Sequence, residues 1–442
     1  MNYKKSFYNV IIEELEENKK LIYNTYSGIY GVMDGSTQLL YDDIENIDLN
    51  SVIDKKDMKN IDIMKKAGYI VPVNSDELVA LRLKRAKSKY DNNRLHLTIA
   101  PTLDCNMCCP YCYEDKNKSI MSKEVQNELI NFVKRHLDTY PNIKDFSVTW
   151  YGGEPLLQKE IIYYLSQEFI KICSERQITY MAGMITNGVL LNREIAEYLV
   201  NNCRLYKVQI TVDGMRERHN KSRILISGAD SFGIIMKNIE DCKDILSIYI
   251  RTNVDKKNMK EIEELTRYFL QEKNFVKNPR FYLAPVENHS KNEVHNKNNY
   301  LDIDEFVELD TNFIRFCYTH NQDNMAKELF PKGRNVFCAA EEMLTYVIDP
   351  DGDYYTCWLR IGNKECSIGN ICNPFTMTSE YGKWLFMDLH EKCERCKYLP
   401  LCQGGCAANR MDKGGEPQCP HSFYTYKEKL KLAYKDYELK KA

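Results

Sequence analysis

Between residues 95 and 286, short apolar runs alternate with amphipathic stretches of helical period. The strand-like runs are LHLTIA (95–100), FSVTWY (146–151), TYMAGMI (179–185), YKVQITV (206–212), SIYIRTNV (247–254) and FYLAPV (281–286). Between them lie SKEVQNELINFVKRHL, EIIYYLSQEFIKIC, REIAEYLVNN, SFGIIMKNIEDC and MKEIEELTRYFLQ, whose apolar residues recur with the period of a helix. Six β/α units in series predict an α/β fold with a helix-covered parallel sheet, either open or rolled into a partial barrel. In such folds the chemistry sits at the carboxyl ends of the strands.

The flanking segments read differently. Residues 1–93 predict a small α+β domain, with an extended stretch LIYNTYSGIYGVMD that turns at Gly28 and Gly31. A helix then stops at Gly68 before an apolar strand, which suits a winged-helix-like arrangement or a cap on the next domain. The segment LRLKRAKSKYDNNR reads as a basic connector into a barrel domain over 94–286. Residues 287–330 open with the polar linker ENHSKNEVHNKNN and continue into a helix near 304–320. A cysteine-rich domain follows over 331–425, and 426–442 predict a charged helix with a solvated face.

Length and composition narrow the class. A chain of 442 residues divides into two or three domains, and a formal net charge of −2 argues against nucleic-acid binding. No apolar run is long enough for a membrane span, and the N-terminus lacks a signal-peptide pattern, so a cytoplasmic protein is expected. Seventeen cysteines are the anomaly. In a reducing compartment, clustered thiols point to metal ligation, whereas Cys173, Cys203 and Cys242 are scattered singly and read as inert buried thiols.

The first cluster, LDCNMCCPYCYEDK (103–116), directly follows the first barrel strand. Cys105, Cys109 and Cys112 form CxxxCxxC, a spacing that can converge on one face of an iron–sulfur cubane. Zinc is the rival, but a structural zinc site wants four protein ligands, and adjacent Cys108 and Cys109 point their side chains apart in most backbone conformations. Three cysteines on four irons leave one iron open. Here the chain resembles the radical SAM enzymes, whose CxxxCxΦC motif follows the first strand of a partial (β/α)6 barrel. Tyr111 takes the aromatic place. The resemblance implies a [4Fe–4S] cluster on Cys105, Cys109 and Cys112, with Cys108 a bystander and S-adenosylmethionine (SAM) on the open iron. Reductive cleavage of SAM then supplies a 5′-deoxyadenosyl radical that abstracts hydrogen from a substrate. An oxygen-sensitive protein is expected, with an electron donor such as flavodoxin or ferredoxin.

The second strand ends in WYGGEPLL, and Gly152, Gly153 and Glu154 match the GGE motif that binds the SAM amino group in that family. Glycines permit close backbone approach to a ligand, and a carboxylate can balance an ammonium. By the same resemblance Asn187 of ITNG lies on the ribose side, Arg223 of TVDGMRERHNKSR pairs with the SAM carboxylate, and Asn253 of RTNV lies near adenine. Asp213, just before Gly214, reads as a turn cap.

The second cysteine zone spells Cx13Gx4C followed by CxxCx5CxxxC and a final Cys419. Spacing alone leaves a zinc ribbon open, although seven ligands suit two clusters better. The pattern resembles the SPASM domain of many radical SAM enzymes. That resemblance implies two auxiliary [4Fe–4S] clusters, one on Cys338, Cys357 and Cys406, the other on Cys393, Cys396, Cys402 and Cys419. Either an open iron or one of Cys317, Cys366 and Cys372 completes the first.

Two enzymatic readings follow from the resemblance. Anaerobic sulfatase maturases form formylglycine, and in them an Asp proposed as base follows the cysteine matching Cys357. This chain has Trp358 there, which cannot accept a proton. Ribosomal-peptide maturases form thioether or carbon–carbon cross-links, and many carry a winged-helix-like precursor-recognition domain ahead of the barrel. A precursor-peptide maturase installing a Cys thioether is therefore the leading expectation, with no acid/base residue identified. A formylglycine-generating enzyme and a non-catalytic iron–sulfur or zinc protein are the alternatives.

Overall fold

The computed structural model describes residues 2–12, 19–47, 54–114, 117–275, 278, 280–287, 299–320, 331–373 and 378–439. Most of the expected linker 287–299 lies outside them. The chain divides into two compact units, Met1–Tyr90 with Ala326–Glu341 and Met387–Ala442, and Asp91–Met325 with Glu342–Phe386. The expected cysteine-rich segment 331–425 therefore contributes to both.

In the first unit, β1 (Tyr3–Lys5) pairs antiparallel with β5 (Ile70–Pro72), while β2 (Asn9–Ile12), β3 (Lys20–Asn24) and β4 (Ile29–Met33) form an antiparallel meander. Gly31 lies inside β4 and not at a turn. A Cβ there would come within 2.9 Å of the Tyr69 hydroxyl, so glycine makes room for a buried ring. Helices α1 (Gly35–Asp42) and α2 (Lys55–Ala67) follow, and α2 stops at Gly68 with φ +77° as its pattern predicts.

Two expectations are corrected here. Most of the expected connector 81–94 is not a connector but the body of helix α3 (Glu77–Lys89), capped by the Asp76 side chain accepting from the Val79 amide at 3.0 Å. Its buried face carries Leu81, Arg85 and Lys89 at four-residue spacing, a stripe that reads as polar until its partners are known. The C-terminal helix Tyr426–Leu439 is not simply a solvated face. It buries Tyr426 and Leu430 with Val10, Ile12, Leu21 and Tyr23 of the meander.

The second unit is built on a nine-stranded sheet. Strands β6 (Arg94–Ile99), β7 (Asp145–Trp150), β8 (Thr179–Thr186), β9 (Leu205–Thr211), β10 (Ser247–Val254) and β11 (Arg280–Pro285) lie side by side in chain order, all parallel. They agree with the predicted runs to within a residue, because β/α alternation writes its period directly into the sequence. Helices α4 (Lys123–Thr139), α5 (Lys159–Glu175), α6 (Arg193–Cys203), α7 (Arg216–Ser222) and α8 (Ser231–Cys242) connect them and bury their apolar sides. Beyond β6 the sheet gains β12 (Thr345–Ile348), parallel to it, then β13 (Asp353–Tyr355) and β14 (Gly369–Asn370), each antiparallel to its neighbour. Cys173, Cys203 and Cys242 are buried, and burial pushes their thiols up to about 12, 11 and 11 respectively, in keeping with inert core residues.

Candidate SAM and iron–sulfur site

Parallel strands bring their carboxyl ends to one edge of the sheet, and the cysteine loop starts there, just after β6. The loop is closed at its base, where the Thr102 hydroxyl donates to the Ser119 carbonyl at 2.6 Å and the Met121 amide to the Pro101 carbonyl at 2.9 Å. Met107 is fully buried and moors the loop in the core. On one side the amides of Gly153 and Glu154 donate to the carbonyls of Thr102 and Asp104, at 3.3 and 2.8 Å. On the other, the Cys108 amide donates to Ile224 at 2.8 Å and the Ile226 amide to Asn106 at 3.0 Å. Clamped so, Cys105, Cys109 and Cys112 stay half-buried while Cys108 is exposed.

The clamp explains the paired glycines. Gly152 has φ +118°, and a Cβ on it would meet the Thr102 carbonyl at 2.3 Å. One on Gly153 would meet the Asp104 carbonyl at 2.2 Å. The close approach they allow is that of the cysteine loop itself.

Glu154 is fully buried, and its carboxylate holds neighbouring strand ends together. It accepts from the Leu156 amide at 3.1 Å, the Thr186 hydroxyl at 2.8 Å and the Asn187 amide at 2.8 Å. Burial raises its pKa against the lowering effect of these bonds. Asn187, next after β8, donates from Nδ2 to Asn106 Oδ1 at 2.6 Å and lies 3.9 Å from Cys105 Sγ. The Glu154 side chain thus acts as a positioning group for Asn187, which in turn touches the first cysteine.

Tyr111, Arg223 and Asn253 converge as a second group. Arg223 Nη1 donates to the Tyr111 hydroxyl at 2.9 Å, and Asn253 Nδ2 lies 3.4 Å from the same oxygen. The Tyr111 hydroxyl donates to Asp213, whose other oxygen accepts from the Asn253 amide at 2.9 Å. Asp213 is therefore no turn cap. It is buried at the end of β9, where burial raises its pKa and the Arg223 charge opposes that rise. The sequence held a signal for it, a carboxylate one residue beyond a barrel strand, but turn chemistry before a glycine explained the same residue. Burial disfavours the Arg223 charge, yet Tyr111, Cys109 and Asp213 hold its pKa above the ordinary guanidinium value. Its Nε is buried and makes no hydrogen bond among the described residues. A buried guanidinium with an unused donor beside a half-buried thiol suits an anionic ligand.

The Asp213 amide donates to Nδ1 of the fully buried His219 at 3.3 Å, so this ring must be neutral. Burial, helped by Arg223, pulls its pKa down to about 3 from an ordinary 6.5. The unfolded chain therefore takes up a proton that the folded one refuses. Stability from this group is full above 6.5 and is lost as pH falls towards 3. Thermal melts at pH 7 and pH 5 will show a loss for the wild type that His219→Gln lessens.

The remaining cysteines fall in two places. Tyr113, hydrogen-bonded to the Tyr151 hydroxyl, feels both Cys112 and Cys357, and Trp358 packs edge-on against Tyr151 with ring centres 5.7 Å apart. Cys338 and Cys406 lie in the first unit and Cys357 in the second. Cys317 is buried in the helix Ile303–His320, Cys366 accepts from Asn363 Nδ2 at 3.2 Å, and Cys372 is exposed. Within the first unit, Cys396 and Cys419 each add to the raised pKa of Cys393 and of Cys402, behind the larger effect of burial. Among the described residues no three His, Cys, Asp or Glu side chains are gathered at metal-binding distances. The thiols are neighbours, and their soft donor set fits an iron–sulfur cluster better than a hard cation.

Comparison with known proteins identifies the domain that holds this site. Residues 99–269 match the model of the Radical SAM superfamily. The chain carries a radical SAM domain. A cysteine-type anaerobic sulfatase-maturating enzyme of Clostridium novyi is 28% identical over 360 residues, 74% of this chain and 90% of that protein. The radical SAM cyclopropyl synthase TigE of Paramaledivibacter caminithermalis is 23% identical over 398 residues, 82% of this chain and 77% of its own. Among solved structures, anSMEcpe with bound AdoMet and the Cp18Cys peptide superposes with TM-score 0.62 at 23% identity, over 78% of this chain and 98% of that one. Streptococcus suis SuiB superposes with TM-score 0.52 at 16% identity, over 94% of this chain and 99% of its own. With this domain the chain is an enzyme whose cofactors are a [4Fe–4S] cluster and SAM. Among its described residues no helix is long and apolar enough to cross a membrane.

Proposed function

We propose that this radical SAM enzyme matures a ribosomally made precursor peptide by installing a cross-link, in the first instance a Cys thioether. Cys105, Cys109 and Cys112 would hold the SAM-binding cluster, and Gly152, Gly153, Asn187, Arg223 and Asn253 would form the SAM pocket around it. Bound together, cluster and SAM supply a carbon-centred radical that removes hydrogen from the substrate. The protein's part is positioning: the backbone bonds from Gly153 to Thr102 and from Glu154 to Asp104 fix the cysteine loop, and Arg223 offers its unused donor to a carboxylate. The four thiols Cys393, Cys396, Cys402 and Cys419 would hold an auxiliary cluster. A flavodoxin or ferredoxin would deliver the electron.

The observation that carries the choice of product is Trp358, 42% exposed and directly following Cys357. It stands where the sulfatase maturases have an Asp proposed as base, and an indole accepts no proton from a reacting group. The relatives that are sulfatase-maturating enzymes support the competing formylglycine reading. Product chemistry separates the two: a thioether removes the reactive thiol from the peptide, whereas formylglycine adds an aldehyde that hydrazide reagents capture.

The precursor's leader segment would dock on the first unit as an added strand. Strand β4 is an edge of its sheet and exposes Ile29 and Val32, which is unusual for an unprotected edge. Ile29→Lys with Val32→Lys will weaken peptide binding about tenfold or more, read by fluorescence anisotropy of a labelled precursor. Peptide-independent SAM cleavage will be unchanged.

A further inference from the structure

The first unit buries more positive than negative charge. Arg85 and Lys89 of α3 are each 5% exposed, and Arg410 in the helix Ala407–Asp412 is 1% exposed. Among the described residues of this unit Glu341, fully buried, is the one buried carboxylate. Its Oε1 accepts from Arg85 Nη2 at 2.8 Å and from Arg410 Nη2 at 2.7 Å. Lys89 Nζ donates to the Met387 carbonyl at 2.9 Å, and Arg410 Nη1 to the Asp388 carbonyl at 3.3 Å. Three cations against one carboxylate leave an excess of two positive charges. The nearby acids do not cancel it: Glu394 is paired with Arg82, and the Asp388 carboxylate is 75% exposed and lies 3.8 Å from Arg82. Arg85 Nη1 and Arg410 Nε are buried and make no hydrogen bond among the described residues. Burial pulls Lys89 down to about 8, which leaves it protonated at neutral pH. Excess buried charge of this kind is expensive unless something of opposite sign joins it.

The group is built into the cysteine turns. The Glu341 amide donates to the Cys338 carbonyl at 3.2 Å, and the Arg410 amide to the Cys406 carbonyl at 3.0 Å. Arg410 lies close enough to Cys393 to favour its thiolate. Leu81 of α3 shares one apolar cluster with Cys393, Leu389 and Leu399. Arg410 therefore lies beside the thiol of Cys393, and Arg85 is joined to Arg410 through their shared partner Glu341.

We propose that Arg85, Lys89 and Arg410, partly offset by Glu341, are the countercharge of a cluster on Cys393, Cys396, Cys402 and Cys419 and set its reduction potential. The inference rests on the auxiliary-cluster reading above. A [4Fe–4S] cluster on four thiolates carries a net double negative charge when oxidised, which matches the excess, and one-electron reduction adds another. Cations held in a buried site stabilise the reduced form and raise the potential. The N-terminal helix α3 would thereby help to tune a redox centre held by C-terminal cysteines.

The test uses the full-length, anaerobically reconstituted protein with Cys105, Cys109 and Cys112 replaced by alanine, so that the SAM cluster is silent. Redox titration followed by EPR would compare Lys89→Met, Arg410→Met, Arg410→Lys and Glu341→Gln in that background. Lys89→Met and Arg410→Met are expected to disfavour reduction about tenfold, a shift of about 59 mV to lower potential. Arg410→Lys keeps the charge and returns the potential towards the parent. Glu341→Gln moves it upward. Shifts of one sign for every variant, or none while auxiliary iron is retained, overturn the countercharge and leave the cluster standing. A parent protein whose Cys393, Cys396, Cys402 and Cys419 bind no iron overturns both.

Discussion

Replacing Cys105, Cys109 and Cys112 together by alanine will abolish 5′-deoxyadenosine formation from SAM while much of the iron stays bound. With one SAM-binding and two auxiliary clusters, iron per reconstituted chain will fall from about twelve to about eight. The fold will survive, because the loop is moored by Met107 in the core and by backbone bonds to Ile224, Gly153 and Glu154, none of which involves a thiol. A circular dichroism spectrum like that of the wild type, with iron counted on the same sample, separates loss of one cluster from loss of structure. A total of about four irons with bound zinc would instead make the C-terminal cysteines a structural zinc site.

Gly153→Ala is the second large effect. The added Cβ would lie 2.2 Å from the Asp104 carbonyl oxygen and 2.6 Å from that of Leu103, backbone atoms that cannot swing aside as a flexible side chain would. Either the cysteine loop or the end of β7 must move by about an ångström, a displacement that costs a positioned reaction roughly 100-fold in rate. Stability will fall by about 2 kcal/mol, in the range typical of overpacking. Gly35→Ala is the matched control, since nothing lies within 4 Å of a Cβ there. Near-equal activities for the two variants would mean that the glycine clamp does not position the cluster.

Much of the second unit could be read from the chain alone. Each strand of the parallel series is a compact apolar run between amphipathic helices, and the cysteine loop and the glycine pair stand directly after the first two. Other features depend on partners distant in sequence. Arg85 and Lys89 look like the solvated face of a connector until Glu341 and the Met387 carbonyl are placed beside them. The helix Tyr426–Leu439 is hard to distinguish from a surface helix until β2 and β3 cover Tyr426 and Leu430. Asp213 satisfies local turn chemistry equally well in sequence. Only the convergence of Tyr111 and Asn253 shows it as the buried carboxyl group of the site. Strands β12 to β14, of four, three and two residues, are too short to write a period into the sequence.

The central claim, that the enzyme takes hydrogen from a peptide and leaves a cross-link, is tested most directly by following deuterium. A cysteine-containing precursor peptide that the enzyme binds would be made fully deuterated at carbon and incubated anaerobically with reduced enzyme and unlabelled SAM. The account predicts deuterium in 5′-deoxyadenosine and a peptide that has lost a cysteine thiol to a thioether. Deuterium-free 5′-deoxyadenosine from a fully loaded enzyme, or an aldehyde formed on a sulfatase-type cysteine peptide supplied alongside, would contradict it.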